Sequence, residues 1–367
     1  DADITGEYDS GTGWWYTDEN HHGTHVAGTI SALNNAGTGV VGVMAGGNIN
    51  LHIVKVFNAA GWAYSSTLAT AANKCKAAGA NVVTMSLGGA RSNKTEQRAF
   101  DALYAAGILN VAAAGNDGTT ALSYPAGYSS VVSVGALDEN KAWASFSQYN
   151  SKVELSAPGV GVLSTVPMGQ GSASALTVGS TVYAPGGMDG SPKTTASAPL
   201  ADFGLGGAVV AGSMTGKVCL IQRGTYDFAT KVSNCQASGG VGAVVYNNVA
   251  GGFGGTLGTT VTSIPSVTAS DTEGAAMKNQ LGQTAAVAVT PTNYAYYDGT
   301  SMATPHVSAV AALVWSLNLN CTAAQLRASL TKSALDLGTA GRDTKFGFGL
   351  VQAKAADTRI KSLGCGN

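Results

Sequence analysis

The amino-acid sequence predicts an α/β fold with a doubly wound, mainly parallel sheet and an inserted β-rich domain. Apolar, strand-like runs alternate with helix-like runs over residues 53–134, which is typical of βαβ units in a parallel sheet. Residues 170–292 differ in composition, being rich in Gly, Thr and other β-branched residues. These two patterns favour one parallel α/β domain interrupted by a second folding unit.

The α/β elements follow one another in chain order. The strand-like runs are residues 53–57, 81–87, 109–113 and 131–134, and the helix-like runs are residues 65–78 and 94–106. The carboxyl ends of parallel strands face a shared crevice, and Asn116 would fall there after the third run.

Composition excludes several kinds of partner. The chain has 367 residues, enough for two domains, with a formal net charge of −1 and only 11% charged residues. This charge gives no electrostatic basis for binding nucleic acid or an anionic membrane. No apolar run approaches the ~20 residues of a membrane-spanning helix.

The stretch Gly-Thr-Ser-Met-Ala-Thr-Pro-His-Val at residues 299–307 places a serine where a helix begins. Ser301 would have unpaired backbone N–H groups beside its hydroxyl, and such groups can stabilise a developing oxyanion. We expect Pro305 in the first turn, where a missing N–H costs little. The simpler alternative for a serine before a helix is an N-cap.

Two further motifs precede this serine. Residues 20–29, Asn-His-His-Gly-Thr-His-Val-Ala-Gly-Thr, contain an imidazole that could take a proton from a serine hydroxyl. Residues 111–116, Val-Ala-Ala-Ala-Gly-Asn, end in a carboxamide that could donate to an oxyanion. His21 and His25 have the spacing of a zinc helix, but no Glu follows His21, which disfavours zinc.

In these motifs the sequence resembles the subtilase (subtilisin-like) serine protease family. Matching blocks lie at residues 20–35, 52–64, 82–89, 111–128 and 296–313. The resemblance implies a subtilisin-like fold and a serine endopeptidase of broad specificity that needs no cofactor for catalysis. It implies His22 as the general base, Ser301 as the nucleophile and Asn116 as the side-chain oxyanion donor. Partners would be protein and peptide substrates, and we expect a monomer.

The chain departs from the family pattern at the triad aspartate. In subtilisin the Asp precedes the His by about 30 residues, more than this chain has before His22. Asp9 begins an Asp-Ser-Gly signature, but residues 1–12 lack the near-continuous Val, Ile and Leu of a buried strand. We therefore interpret Asp9 as a loop residue, expect no strand in this segment, and expect the triad acid upstream of Asp1.

The cysteines indicate a secreted, extracellular enzyme, because disulfides persist in oxidising compartments. Of five cysteines, Cys219 with Cys235 and Cys321 with Cys365 would form local disulfides. Cys75 is left over. Either its partner lies on the absent strand, or it is a buried free thiol.

The spacing of the catalytic motifs locates an insert. His22 and Ser301 are about 280 residues apart, against about 160 in subtilisin. The predicted catalytic domain is therefore residues 1–169 and 293–367, with residues 170–292 inserted. Segments 216–232 and 237–248 resemble the protease-associated (PA) domain, which would guide or restrict protein substrates. A passive structural lobe is the alternative.

The family resemblance also assigns a substrate cleft. A small neutral floor without an acidic residue nearby would favour large apolar P1 side chains. The assigned residues are Ser86, Leu87, Gly88, Ala113, Ala114 and Gly115 for the walls of the S1 pocket, Ser123 for its floor, and Gly61, Trp62 and Ala63 for the edge that pairs with substrate.

Residues 32–40 resemble the family's strong calcium loop. Hard cations bind backbone carbonyl and Asn side-chain oxygens at such bends. The expected ligands are the Asn35 side chain and the carbonyls of Leu33, Thr38 and Val40. The alternative is an ordinary turn.

Two other functions compete with an endopeptidase. Without the acid strand, the chain could bind peptides with little turnover. An esterase-type hydrolase is disfavoured, because Ala303 stands where the Gly-x-Ser-x-Gly motif requires its second Gly.

Overall fold

The computed structural model describes residues 4–8, 14–57 and 63–367. The described chain divides into two compact units. The first contains the residues up to Pro167 together with Tyr294–Asn367, and the second is Met168–Asn293. The second unit is thus inserted in the first.

The helices and strands are numbered in chain order through both units. The helices are α1 (His22–Ser31), α2 (Ser65–Ala77), α3 (Lys94–Ala105), α4 (Phe228–Ala237), α5 (Asp271–Lys278), α6 (Thr300–Ser316), α7 (Ala323–Lys332) and α8 (Ala353–Leu363). The strands of the first unit are β1 (Ile4–Tyr8), β2 (Leu51–Lys55), β3 (Val82–Met85), β4 (Leu109–Ala113), β5 (Val131–Leu137), β6 (Val153–Pro158), β7 (Val162–Thr165) and β17 (Tyr294–Tyr297). The strands of the insert are β8 (Gly171–Val178), β9 (Thr181–Tyr183), β10 (Met188–Asp189), β11 (Thr195–Asp202), β12 (Val218–Gln222), β13 (Gly242–Tyr246), β14 (Gly255–Thr256), β15 (Ser266–Ala269) and β16 (Thr284–Thr292).

The first unit is built on parallel strands, which confirms the predicted fold class. Strands β3, β4, β5 and β6 form one parallel sheet in that order, and β1 and β2 form a parallel pair. Every residue of β4 and β5 is buried, as expected for central strands covered on both faces. Helix α6 contacts all four strands of the larger sheet. Packing against this buried sheet therefore fixes the position of α6 and of the serine at its start.

Strand β1 contradicts the expectation that residues 1–12 contain no strand. It pairs with β2 from Ile4 opposite Leu51 to Tyr8 opposite Lys55. Ile4 is 56% exposed, so the strand does not need the continuous apolar run of a buried one. Asp9 follows this strand directly and lies outside the described residues, so its interpretation as a loop residue stays a prediction.

The insert has a mixed sheet of its own, in the order β15-β13-β12-β11-β16-β8-β9. Strands β11, β12, β13 and β15 run parallel, whereas β16, β8 and β9 add antiparallel pairs. The sheet buries its own apolar cluster, which includes Leu176, Leu220 and Val244. A β-rich inserted domain is therefore confirmed.

Both predicted disulfides are confirmed. Cys219 on β12 joins Cys235 on α4, and Cys321, just before α7, joins Cys365, just after α8. Cys75 is a half-buried free thiol, and burial raises its pKa to about 11. Within the part of the chain that the structure describes, none of the helices has the length and apolarity needed to traverse a lipid bilayer.

Candidate active site

Ser301 is the second residue of α6, whose N-cap is Gly299. Backbone N–H groups in the first turn have no intrahelical partner four residues earlier, so the Ser301 N–H is free to donate to a ligand. The N–H of Met302 donates to the Gly299 carbonyl at 3.0 Å. The helix start thus places an N–H donor beside a hydroxyl.

Pro305 lies in the second turn of α6, not in the first turn as the sequence analysis expected. A residue other than proline there would donate its N–H to the Ser301 carbonyl. Ser86 replaces this donor, because its Oγ donates to the Ser301 carbonyl at 2.6 Å. In return, the Ser301 Oγ donates to the Ser86 carbonyl at 3.1 Å. This pair of bonds holds the serine against the carboxyl end of β3.

The Asn116 side chain is oriented by Thr300. Its Oδ1 accepts hydrogen bonds from both the N–H and the Oγ1 of Thr300, each at 2.8 Å. Because a peptide N–H can only donate, its partner must be the carboxamide oxygen, which leaves Nδ2 as a donor. A Cβ built on Gly299 would lie 3.5 Å from Asn116 Nδ2 and 3.6 Å from Ser301 N. The two donors therefore border the same small space.

His22 is the first residue of α1. The start of this helix is capped by Asp18, whose carboxylate accepts from His21 N at 2.8 Å and Thr24 N at 2.7 Å. Burial lowers the pKa of His22, while the negative charge of Asp18 raises it. The net lowering keeps the imidazole uncharged near pH 7, the form that can accept a proton.

Helix α1 is fixed against strands β7 and β17. Nε2 of the fully buried His25 lies 3.0 Å from the Val162 carbonyl and 3.1 Å from the Ala295 carbonyl. Because both partners are acceptors, Nε2 carries the proton. Ser164 Oγ also donates to the His25 carbonyl, at 2.8 Å. His25 thus acts as a structural neighbour that seats the helix bearing His22.

The buried histidines predict a pH-dependent stability. Burial lowers the pKa of His22, His25 and His306 from 6.5. Below about pH 6.5 the unfolded chain therefore binds more protons than the folded one. We expect the free energy of unfolding to fall as the pH is lowered from 6.5 through the folded-state pKa values, and to vary less from these groups above pH 7.

Urea unfolding of the Ser301→Ala variant, followed from pH 8 to pH 5, measures this dependence in a protein that lacks the Ser301 hydroxyl. His306→Gln in the same background removes one titrating group, and its stability should fall less steeply. An identical slope in the two proteins would contradict the assignment of His306 to this effect.

The segments assigned to the S1 pocket lie together beside Ser301. Gly89 and Tyr124 exchange backbone hydrogen bonds of 2.9 and 2.8 Å. A Cβ on Gly88 would lie 2.2 Å from Ser123 Oγ, so the segments assigned to the wall and the floor pack directly against each other. Likewise, a Cβ on Gly115 would lie 1.6 Å from the Gln148 side chain. Both glycines are needed for this close packing.

The remaining assigned residues are less connected to this cluster. Gly61 and Trp62 lie outside the described residues, and the neighbouring Ala63 is half-buried just before α2. In the predicted calcium loop, Asn35 N donates to the Leu33 carbonyl and Thr38 N to the Asn35 carbonyl, both at 3.0 Å. One predicted ligand oxygen, that of Leu33, thus already accepts one hydrogen bond.

Sequence reasoning missed two contributing residues, Thr300 and Asp18, and it missed a second role of Ser86, which it had assigned only to a pocket wall. Thr300 sets the orientation of Asn116, Ser86 links its side chain to the nucleophile as well as lining a wall, and Asp18 caps the helix of His22. Thr300 stands beside the nucleophile in its motif, which was a usable signal. Asp18 is three and six residues from the two N–H groups that it caps, so a helix-capping pattern was a usable signal there too. The Ser86 contact joins segments 215 positions apart and left no such signal.

Comparisons with known proteins identify a family for each of the two units. A model of the subtilase family matches residues 2–203 and 241–349, and a model of the PA domain matches residues 177–277. Subtilisin DY from Bacillus licheniformis is 46% identical over 155 residues, covering 41% of this chain and 56% of the relative. Subtilisin Savinase from Lederbergia lenta is 44% identical over 150 residues, covering 41% of this chain and 55% of the relative. The matches thus span little more than half the length of these curated relatives.

A solved structure extends the similarity to the whole chain. It is the psychrophilic subtilisin-like protease Apa1 from the Antarctic psychrotroph Pseudoalteromonas sp. AS-11, with a TM-score of 0.75 and 43% sequence identity. The match covers 100% of this chain and 90% of that chain. The insert is therefore included in the aligned region.

Proposed function

The chain belongs to the subtilase family, and we propose that it is a serine endopeptidase that hydrolyses peptide bonds through an acyl-enzyme on Ser301. The observation that carries this proposal is the fixed orientation of Asn116, which directs Nδ2 to the space bordered by the Ser301 N–H. Two converging donors beside a hydroxyl are what a tetrahedral intermediate requires.

In the proposed reaction, Ser301 Oγ attacks the carbonyl carbon of the scissile bond and His22 takes the hydroxyl proton. The negative charge that develops on the carbonyl oxygen is stabilised by Asn116 Nδ2 and the Ser301 N–H. His22 then gives its proton to the leaving amine, and water hydrolyses the acyl-enzyme by the same steps. The carboxylate of Asp18 accepts hydrogen bonds from the start of α1. It therefore supports His22 through its negative charge, which raises the pKa of the imidazole, and not through a hydrogen bond to the ring.

Hydrolysis of a chromogenic peptide, combined with labelling by phenylmethylsulfonyl fluoride, tests this function. The label should be found by mass spectrometry on the peptide containing Ser301, and activity should fall in proportion to labelling. Heat-unfolded protein is the control, because labelling there would reflect ordinary hydroxyl chemistry. Hydrolysis without labelling at Ser301 would contradict the proposal.

A peptide-binding protein with little turnover is the second candidate. It is favoured by the Ser301 hydroxyl, which donates to the Ser86 carbonyl rather than to an imidazole. In an endopeptidase the bond from the Ser301 hydroxyl to the imidazole would form when substrate binds, since catalytic hydrogen bonds often tighten only in the substrate complex. Binding of a peptide inhibitor without covalent labelling or hydrolysis would identify this candidate.

Substrate preference follows from the pocket segments. We propose a preference for large apolar P1 side chains, because the floor residue Ser123 is small and uncharged and the walls carry only Ser, Leu, Ala and Gly. The disulfides support a secreted, extracellular enzyme. We further propose that the protein works as a monomer on protein and peptide substrates, without nucleic acid or membrane as partners.

A structural calcium ion in the loop at residues 32–40 is a further part of the proposal. The loop offers neutral oxygens from a tight turn, in which Asn35 and Thr38 form a backbone bridge. Neutral carbonyl and amide oxygens suit a hard cation. Asn35 Oδ1 with the carbonyls of Leu33, Thr38 and Val40 would hold the ion, which would stabilise the turn rather than take part in the reaction.

The role proposed for the PA-like insert is to control access of large substrates. Its removal is structurally simple, because Thr165 on β7 lies opposite Tyr294 on β17 in an antiparallel pair. Replacing residues 168–293 by a short turn should therefore leave kcat/KM for short chromogenic peptides within about threefold, in line with the tolerance of well-placed loop changes. Digestion of casein and of aggregated protein should change more.

The parent protein, assayed on the same substrates, is the reference for this deletion. Circular dichroism and thermal unfolding confirm that the shortened protein is folded. Loss of short-peptide activity from a folded deletion variant would show that the insert helps to build the cleft.

A further inference from the structure

A buried carboxyl group in α3 has no part in the mechanism described above. Glu96 is only 2% exposed, and its Oε2 accepts a hydrogen bond from the Tyr128 hydroxyl at 2.7 Å. The Tyr128 hydroxyl in turn accepts from the N–H of Asn93 at 2.8 Å. Asn93 caps α3 through its own side chain. The Tyr128 hydroxyl also lies 3.1 Å from the Asn93 carbonyl, a second acceptor for its proton. The tyrosine is thus tied to the start of α3 by three polar contacts.

Tyr128 connects this cluster to the segment assigned as the pocket floor. Its ring centroid lies 4.9 Å from that of Tyr124. Its N–H donates to the Pro125 carbonyl at 3.0 Å, and the Gly127 N–H donates to the Ser123 carbonyl at 2.7 Å. Residues 123–128 therefore form a closed turn, with the Tyr128 ring packed on the Tyr124 ring.

The turn is tightly packed, so a displacement of Tyr128 must be transmitted. A Cβ on Gly127 would lie 2.7 Å from the Tyr124 ring. Tyr124 is paired with Gly89, and Ser123 touches Gly88. A shift at Tyr128 would consequently alter the spacing between floor and wall, since a close-packed core has few voids to absorb it.

Apolar packing alone does not account for a glutamate at this position. A leucine would fill similar space, whereas a buried carboxyl group costs free energy unless it is hydrogen-bonded. Burial raises the pKa of Glu96, while the Tyr128 hydroxyl lowers it. The carboxyl group is therefore best explained by the hydrogen bond that it accepts from the Tyr128 hydroxyl.

We propose that Glu96 and Tyr128 are positioning residues that hold the floor of the S1 pocket and thereby set the size of the P1 side chain that is accepted. The proposal rests on the endopeptidase function proposed above. Neither residue touches the substrate; they act through Tyr124 and Ser123.

The test compares kcat/KM for two chromogenic peptides that differ only in having Phe or Ala at P1. Glu96→Leu removes the hydrogen bond between the two residues, and Tyr128→Phe removes that bond together with the contacts of the hydroxyl to Asn93. Glu96→Leu should change the Phe-to-Ala selectivity ratio by about fivefold, equivalent to about 1 kcal/mol, the typical net contribution of such a bond, and Tyr128→Phe should change it by at least as much. Glu96→Gln keeps an acceptor for the tyrosine hydroxyl and should stay close to the parent ratio.

Asp357→Leu is the matched control. Asp357 lies in α8, accepts hydrogen bonds from the side chains of Asn318 and Lys361, and takes no part in this cluster. It should lower stability without changing selectivity. An unchanged ratio in folded Tyr128→Phe, or an equal change in Asp357→Leu, would overturn the proposal. A parent protein that hydrolyses neither peptide would instead overturn the proposed endopeptidase function.

Discussion

Replacing Ser301 with Ala should lower kcat by about 10⁶-fold, the loss known for removal of the nucleophile in subtilisin. The expected loss is this large because the variant can form no acyl-enzyme, so the donors at Asn116 and the Ser301 N–H have no covalent intermediate to stabilise. Substrate binding should change little, since alanine fits the same helix start. Steady-state hydrolysis of a chromogenic peptide, with inhibitor binding as a separate readout, measures both effects.

The Ser86→Ala variant is a useful comparison for this substitution. It removes the hydroxyl that replaces the missing N–H of Pro305 but keeps the nucleophile. We expect a partial loss of activity with labelling at Ser301 retained. Covalent labelling that persists at the same rate in Ser301→Ala would exclude Ser301 as the nucleophile.

Replacing Asn116 with Ala should lower kcat by about 10²–10³-fold and leave KM nearly unchanged, the magnitude known for the oxyanion-hole asparagine of subtilisin. The carboxamide donates to an oxyanion that exists only in the transition state, so its loss should appear in kcat. The fixed orientation of the amide by Thr300 is the structural reason to expect the full effect.

Thr300→Val tests that orientation directly. It removes the Oγ1 donor but keeps the backbone N–H that also bonds Asn116 Oδ1. The loss in kcat should therefore be smaller than for Asn116→Ala. A loss of similar size in KM for Asn116→Ala would show that the side chain binds substrate in the ground state instead.

Much of the catalytic unit could be predicted from sequence, because its central strands are continuous apolar runs. The predicted strand at residues 109–113 is β4, and the predicted helix at 94–106 is α3 with one residue fewer. Burial on both faces leaves a strong signal in such strands. Strand β1 left a weaker signal, because Ile4 and Thr5 are exposed and Glu7 is held by Lys74 at 2.9 Å.

Within the candidate site, the motifs identified the individual residues but not the hydrogen bonds that join one motif to another. Ser301 and its helix share one motif, and their relation is local. The hydrogen bond between Ser86 and Ser301 joins segments 215 positions apart. No periodic pattern in the sequence indicates such a contact. The same holds for Pro305 in the second turn of α6, since the cost of proline there depends on the hydroxyl of Ser86, which follows β3. In the insert, the mixture of parallel and antiparallel pairs is a property of the whole sheet.

The chain passes between the two units twice, and the two passages lie next to paired strands in each unit. Thr165 lies opposite Tyr294 in the first unit, and Gly171 lies opposite Thr292 in the insert. Closing a flexible loop costs entropy that grows with the logarithm of its length. Once β8 and β16 have paired, the ends of β7 and β17 are joined through a short path. The two segments of the first unit then meet without closing a long loop, although the insert separates them widely in sequence. The effective contact order of the catalytic unit is thereby reduced, so its folding rate should depend little on the length of the insert.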